Sequence, residues 1–262
     1  MAEKLLEVKG VSKIFRIGGM LSRKRLTAVD GVSFEIASDK PVILSIVGES
    51  GCGKSTLCKM ILRQHKPEAG DILLDGHSYK DKKHYKPMQF RNDVQPIFQN
   101  PFEAFSMRKR VDTYLFNTAL RLGIAKNRAD AAKRVNEALV SVGLSLDVVA
   151  GKYSSQFSGG ELQRVSIARA LITRPKIIIA DEPVAMIDAS MKMNIVNLFK
   201  QLRDDYGISF IYITHDLSTA YYVSDYIATL YRGTLIEYGA SKEIMDHPAH
   251  PYTKLLMDSV PR

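Results

Sequence analysis

Val42-Ile43-Leu44-Ser45-Ile46-Val47, followed directly by Gly48-Glu49-Ser50-Gly51-Cys52-Gly53-Lys54-Ser55, decides the fold. The first six residues are almost continuously apolar, which reads as a strand covered on both faces. After the turn, Leu57, Met60 and Ile61 recur at helical spacing. Strand, glycine-rich turn and helix in that order are the context that G-x-x-x-x-G-K-[ST] needs in order to be a phosphate-binding loop and not merely a tight turn. The glycines let the chain curl so that successive N–H groups face inward as an anion nest, and the helix beginning near Lys54 adds its positive dipole end. Lys54 would reach the β- and γ-phosphates, and the Ser55 hydroxyl would complete a Mg²⁺ shell. Cys52 holds a variable position and reads as a small filler. Taken alone, the loop leaves kinases, GTPases and ATPases open.

Working outward, Ile177-Ile178-Ile179-Ala180 and Phe210-Ile211-Tyr212-Ile213 are further buried strands, each ending abruptly at a polar cluster. Strand-like runs alternate with helical patterns, so the class is α/β with a largely parallel sheet, whose ligands collect at the carboxyl ends of the strands. From about 102 to 174 no strand-like run appears. Thr113 to Leu122 and Ala129 to Val142 are the clearest helices there, so a helical subdomain is inserted into the sheet. Beyond Gly239 the chain breaks into Pro-punctuated helical pieces. The tyrosines at 221, 222, 226, 231 and 238 are assigned to sheet and helix packing.

Composition excludes several classes. The chain has 262 residues, 45% of them hydrophobic and 25% charged, which suits an ordinary folded domain and not a disordered tail or disulfide-stapled miniprotein. Its two cysteines, Cys52 and Cys58, suit a reducing compartment. The opening MAEKLLEVKG lacks an apolar leader core, and no apolar window is long enough for a membrane span, so the expected location is the cytoplasm. The formal charge of +9 draws the chain to phosphate in some form. Arg23-Lys24-Arg25 and the run Lys80, Lys82, Lys83, Lys86 lack interleaved aromatics, so they read as solvated faces and no nucleic-acid partner is expected.

Three downstream clusters narrow the chemistry. Asp181 and Glu182 end a strand, where adjacent carboxylates can divide labour: Asp181 on hydrated Mg²⁺, Glu182 polarising the attacking water. Ser158-Gly159-Gly160-Glu161 is a capping box opening a helix. Two consecutive glycines weaken such a start, at up to about 1 kcal/mol each for interior positions, so a phosphate approaching the bare backbone is the candidate reason. Thr214-His215-Asp216 ends the third strand, where Asp216 can cap the next helix and His215 can face a γ-phosphate.

These motifs, in this order, resemble the nucleotide-binding subunits of ATP-binding-cassette (ABC) transporters across essentially the whole chain. The resemblance implies a P-loop (RecA-like) core with an antiparallel β subdomain. It further implies a single nucleotide-binding domain over 1–262: core and β subdomain at about 1–101 and 175–240, helical subdomain at about 102–174, tail at about 241–262. The loop Gly48, Glu49, Ser50, Gly51, Cys52, Gly53, Lys54, Ser55 and Thr56 looks like Walker A, Gln99 like the Q-loop, Phe157 to Arg164 like the signature, and Lys176 to Glu182 like Walker B. Asp188 looks like the D-loop aspartate, His215 like the switch histidine, and Phe15 like the aromatic that stacks on adenine. ATP and Mg²⁺ are the implied cofactors, the metal on Ser55, Gln99 and Asp181, with Glu182, His215 and Gln99 serving catalysis. In this family Ser158, Gly159, Gly160 and Glu161 meet ATP held by a second, head-to-tail subunit. The implied partners are that second ATPase subunit, transmembrane permease subunits and, indirectly, an extracytoplasmic solute-binding protein, with the chain peripheral on the cytoplasmic face.

The Arg16 to Leu26 insert and the tail His250-Pro251-Tyr252-Thr253-Lys254-Leu255-Leu256 look like the dipeptide, oligopeptide and nickel importer group, without the longer C-terminal extension of many peptide-importer ATPases. His247 and His250 form H-x-x-H, but Pro248 and Pro251 preclude the regular helix that would align them, so a docking tail is expected there and not a metal site. The chain departs from the family at Phe157 and Glu161, where Leu and Gln are usual, and at Ala185-Met186-Ile187-Asp188 in the D-loop. If Glu161 turns back to its cap, its charge costs little. The resulting expectation is an importer ATPase, for peptide first. Oligosaccharide or nickel uptake, or a soluble ABC ATPase acting on nucleic acid or ribosomes, are the alternatives.

Overall fold

The computed structural model describes residues 3–17, 24–81 and 86–258. Arg23 of the first basic run and Lys82 and Lys83 of the second lie outside them. Contacts group the chain into two units, Met1–Lys86 with Ser209–Arg262, and Pro87–Ile208. The first unit opens with β1 (Lys4–Ile17), β2 (Lys24–Ala37), β3 (Ile43–Val47), α1 (Lys54–Ile61), β4 (Ala69–Leu74) and β5 (His77–Ser78). The second holds α2 (Pro87–Asp93), β6 (Val94–Ile97), α3 (Pro101–Ala104), α4 (Val111–Arg121), α5 (Arg128–Val140), α6 (Leu146–Val149), α7 (Gly159–Leu171), β7 (Ile177–Asp181) and α8 (Ala189–Tyr206). The chain then returns to the first unit with β8 (Ser209–Ile213), α9 (Leu217–Val223), β9 (Tyr226–Tyr231), β10 (Thr234–Ala240), α10 (Ser241–Asp246) and α11 (Pro251–Asp258).

In the first unit, β3 lies parallel to both β8 and β9, and β10 closes antiparallel on β9. Every residue of β3 and of β8 is buried, as a strand covered on both faces requires. Ile46 pairs with Ile213, so the phosphate loop and Thr214-His215-Asp216 leave neighbouring strands at the same edge. A separate antiparallel sheet runs β2-β1-β4-β5. This is the antiparallel β subdomain that the family resemblance implied.

In the second unit β6 and β7 run parallel, with Ile97 opposite Ala180. Between them the described segment 102–174 is helical and contains no strand. The helices expected at Thr113 and Ala129 start one or two residues earlier, because Val111 buries its side chain and Asn127 caps α5 by accepting the Asp130 N–H. Of the tyrosine series, packing accounts for Tyr231. By contrast Tyr221, Tyr222, Tyr226 and Tyr238 are exposed, and the last two stack on each other with centroids 6.2 Å apart.

Candidate functional site

In the first unit the phosphate loop is braced from three sides. A Cβ on Gly48, whose φ is +146°, would stand 2.2 Å from the Leu230 carbonyl oxygen, and one on Gly53 (φ +110°) 2.2 Å from that of Ala28. Only glycine fits at either position. The Arg232-Gly233 turn joins β9 to β10 with both φ positive, and its Gly233 N–H donates to the Cys52 carbonyl at 2.8 Å. Inside this frame, no acceptor is assigned among the described residues to the N–H groups of Gly51, Gly53, Lys54, Ser55 and Thr56. Five unsatisfied donors at a helix start are the donor set an oxyanion needs. Lys54 is only 6% exposed, and its ammonium donates to the Gly48 and Glu49 carbonyls at 2.6 and 2.8 Å. Ser55 is exposed, whereas Cys52 is buried with its Sγ 3.8 Å from the Lys54 Nζ. The small-filler reading of Cys52 agrees with that burial.

His215 is exposed between buried Thr214 and half-buried Asp216. The Thr214 hydroxyl accepts the Asp216 N–H at 3.0 Å, and Asp216 caps α9 by accepting from Ser218 and Thr219. The histidine is therefore presented on a short rigid turn at the strand edge that also carries the phosphate loop. Phe15, in β1, sits edge-on to His65 at 5.5 Å with the Lys13 ammonium over its ring.

In the second unit, parallel pairing of β6 and β7 brings Gln99 to Glu182, whose Oε2 accepts from the Gln99 Nε2 at 3.1 Å. Glu182 has φ +46°, a left-handed backbone that is uncommon for a non-glycine residue and further disfavoured before Pro183. Such strain costs of order 1–3 kcal/mol and clusters at functional positions. Asp181 ends β7 half-buried, and Asp188 stands exposed at the N-terminus of α8.

At α7, the Ser158 hydroxyl accepts the Glu161 N–H at 3.2 Å and the Glu161 carboxylate accepts the Ser158 N–H at 2.9 Å. The Glu161 charge does turn back to its cap. The Ser158 N–H and hydroxyl hold that carboxyl below the usual glutamate range. Neither Gly159 nor Gly160 has a positive φ, and a Cβ on them would meet Met186 O at 3.4 Å and the flexible Met191 Cε at 3.3 Å. These contacts are tight but not prohibitive, so packing within the chain accounts for the glycine pair only in part.

The tail supplied a contact that the sequence reading missed. The Tyr252 hydroxyl accepts the Glu49 N–H at 2.9 Å, placing α11 against the phosphate loop of the same chain. His250 is no isolated ligand either, since its Nδ1 accepts the Tyr252 N–H at 3.1 Å.

Comparison with known proteins decides between the enzyme classes that a phosphate loop leaves open. The ABC transporter family profile matches residues 29–185, and a second profile, the C-terminal region of oligopeptide/dipeptide transporters, matches 236–262. The chain belongs to the ABC transporter family. Among its relatives, the oligopeptide transport ATP-binding protein OppF of Bacillus subtilis is 38% identical, over 100% of this chain and 84% of its own length. The dipeptide transport ATP-binding protein DppF of Haemophilus influenzae is 34% identical, over 98% and 78%. Among solved structures, cbiO1 of Clostridium perfringens, part of an ABC transporter complex, has a TM-score of 0.77 at 25% identity, over 94% of this chain and 92% of that one. A dimeric ATP-binding cassette in a post-hydrolysis state, bound to ADP and Pi, has a TM-score of 0.75 at 28% identity, over 90% and 98%. This chain is accordingly an ABC-type ATPase with the P-loop α/β fold. Among the described residues of this ABC cassette, no helix is long and apolar enough to cross a membrane.

Proposed function

We propose that this ABC ATPase energises peptide import, through a head-to-tail pair of cassettes that closes on Mg-ATP and opens after hydrolysis. The family membership supports the motor, and the tail match at 236–262 is the observation that carries the choice of peptide. Oligopeptide and dipeptide transport are the roles named for relatives aligned over 98–100% of this chain. Oligosaccharide and nickel uptake share the motor but not those names.

In this reading the N–H groups of Gly51, Gly53, Lys54, Ser55 and Thr56 take the triphosphate, with Lys54 leaving its two loop carbonyls for the β- and γ-phosphate oxygens. Phe15 lies against the adenine. Ser55, Gln99 and Asp181 would be the residues to hold Mg²⁺, which would neutralise charge developing on the transferred phosphoryl group. Glu182 accepts the proton of the attacking water, and its bond from Gln99 orients the carboxylate for that task. His215 contacts the γ-phosphate. The exposed Ser158 tip, with Gly159, Gly160 and Glu161, covers ATP on the second cassette, a role that gives the bare glycine pair its reason. Asp188 lies at the same junction between cassettes. ATP acts as the bond between the two subunits, and its hydrolysis releases them, so chemistry becomes motion in transmembrane permease subunits. An extracytoplasmic solute-binding protein delivers the peptide to them, and the ATPase stays on the cytoplasmic face.

The test is transport in cells lacking the gene. Uptake of a labelled tripeptide should be lost, restored by the wild-type chain, and not restored by Lys54→Ala. Unchanged peptide uptake beside lost nickel or oligosaccharide uptake would overturn the substrate assignment.

A further inference from the structure

Between the tail and the phosphate loop runs a short chain of contacts, all within the first unit. Tyr252 is 8% exposed, and its hydroxyl accepts the Glu49 N–H at 2.9 Å. Its ring packs on Tyr231 of β9 with centroids 4.4 Å apart, one residue beyond the Leu230 carbonyl that leaves no room for a side chain at Gly48. The tail is delivered to this point by its own sequence. Glu237 of β10 accepts the N–H groups of Ala249 and His250 at 2.7 and 3.3 Å, which fixes the turn before α11. His250 then accepts the Tyr252 N–H, and Pro251 takes the first helical position, where its missing N–H costs nothing. Leu256 and Met257 pack on a buried cluster that includes Val47, the residue immediately before the loop. His-Pro-Tyr is thus a device for aiming one hydroxyl.

Glu49 is held at both ends of its backbone. Tyr252 takes the N–H, and Lys54 holds the carbonyl at 2.8 Å. Once Lys54 turns to a phosphate, the Tyr252 bond remains to keep the first peptide of the loop in place. The bonded N–H is not one of the five open donors, so Tyr252 does not compete with a nucleotide. We propose that Tyr252 is a positioning residue for ATP binding, and that the C-terminal tail sets this chain's nucleotide affinity by holding the Glu49 amide. The proposal rests on the reading of the loop as the ATP site.

Tyr252→Phe keeps the ring and removes only the hydroxyl. For this variant the Kd of a fluorescent ATP analogue and the KM for ATP should rise about tenfold, with kcat within about twofold of wild type. Amide exchange at Glu49 in the nucleotide-free protein should accelerate. Should Tyr252→Phe prove insoluble, Glu237→Gln loosens the same turn from its other side and should raise Kd by about threefold. An unchanged Kd with unchanged Glu49 exchange, or a fall in kcat at constant Kd, overturns the proposal while wild-type binding leaves the ATPase reading intact. A wild-type chain that fails to bind the analogue refutes that reading and the proposal with it.

Discussion

Replacing Gly48 by alanine tests the geometry of the phosphate loop against a number. The new Cβ would stand 2.2 Å from the Leu230 carbonyl oxygen and 2.9 Å from the Cys52 Sγ. Neither is the far end of a long flexible side chain, so loop and β9 must part by roughly 1 Å to restore an ordinary contact distance. Backbone strain at φ +146° adds to the overlap, and strain and overpacking each cost about 1–3 kcal/mol. Together they lower stability by about 4 kcal/mol, which for a chain of this size is roughly 8–16 °C in Tm. A displacement of about 1 Å in a catalytic loop also costs about 100-fold in turnover. Gly51→Ala is the control, because its φ is +81° but nothing lies within 4 Å of its Cβ. It should lose only about 1 kcal/mol, or roughly 2–4 °C. Differential scanning fluorimetry of both variants reads the difference. Equal losses at the two positions, or a wild-type Tm for Gly48→Ala, would refute the steric argument.

Ser158→Ala removes the hydroxyl that accepts the Glu161 N–H, and should cost about 1 kcal/mol of helix stability in thermal melts. The same box carries a pH signature. Because the folded Glu161 carboxyl is held below its ordinary value by Ser158, its contribution is present above the usual glutamate range and is lost as pH falls through the lowered value. Stability profiles of wild type and Glu161→Gln should therefore converge toward acid pH, and parallel curves would contradict the assignment. Glu237 follows the same sign. Burial pushes its carboxyl up, but the Thr253 hydroxyl and the N–H groups of Ala249 and His250 together hold it lower overall, so protection of the Ala249 amide should fade below the ordinary glutamate range. Asp216→Ala strips two N–H bonds from the start of α9 and should lower Tm by roughly 2–4 °C for its cap of about 1 kcal/mol.

The parts of the cassette that were legible are those whose signal is local. β3, its loop and α1 are one continuous segment in which apolar run, glycines and helical spacing follow one another, and β7 and β8 carry the same buried-strand pattern. The capping boxes and caps at Ser158 and Asp216 are also local, since each needs partners only two or three residues away. Contacts set by tertiary pairing were not legible. Gln99 meets Glu182 across 83 residues because β6 and β7 align in parallel, and no spacing in the sequence announces that register. Tyr252 reaches Glu49 across 203 residues. The His-Pro-Tyr motif signalled a tail that docks, but not that it docks on the chain's own phosphate loop. The tyrosine series is only partly explained by core packing: Tyr226 and Tyr238, on the paired strands β9 and β10, are exposed and stack on each other across the sheet surface. In the sequence, the glycines at 48 and 53 signal only freedom to curl; in the structure the Leu230 and Ala28 carbonyls also fill the space a side chain would need.

Phosphate release by the purified chain in Mg-ATP, measured for wild type and Glu182→Gln alongside nucleotide binding, tests the central assignment most directly. The account predicts that Glu182→Gln binds ATP as tightly as wild type, accumulates as an ATP-bound dimer on size-exclusion chromatography, and releases phosphate at least about 100-fold more slowly, the range expected for loss of a general base. Steady-state hydrolysis at the wild-type rate by Glu182→Gln would contradict it.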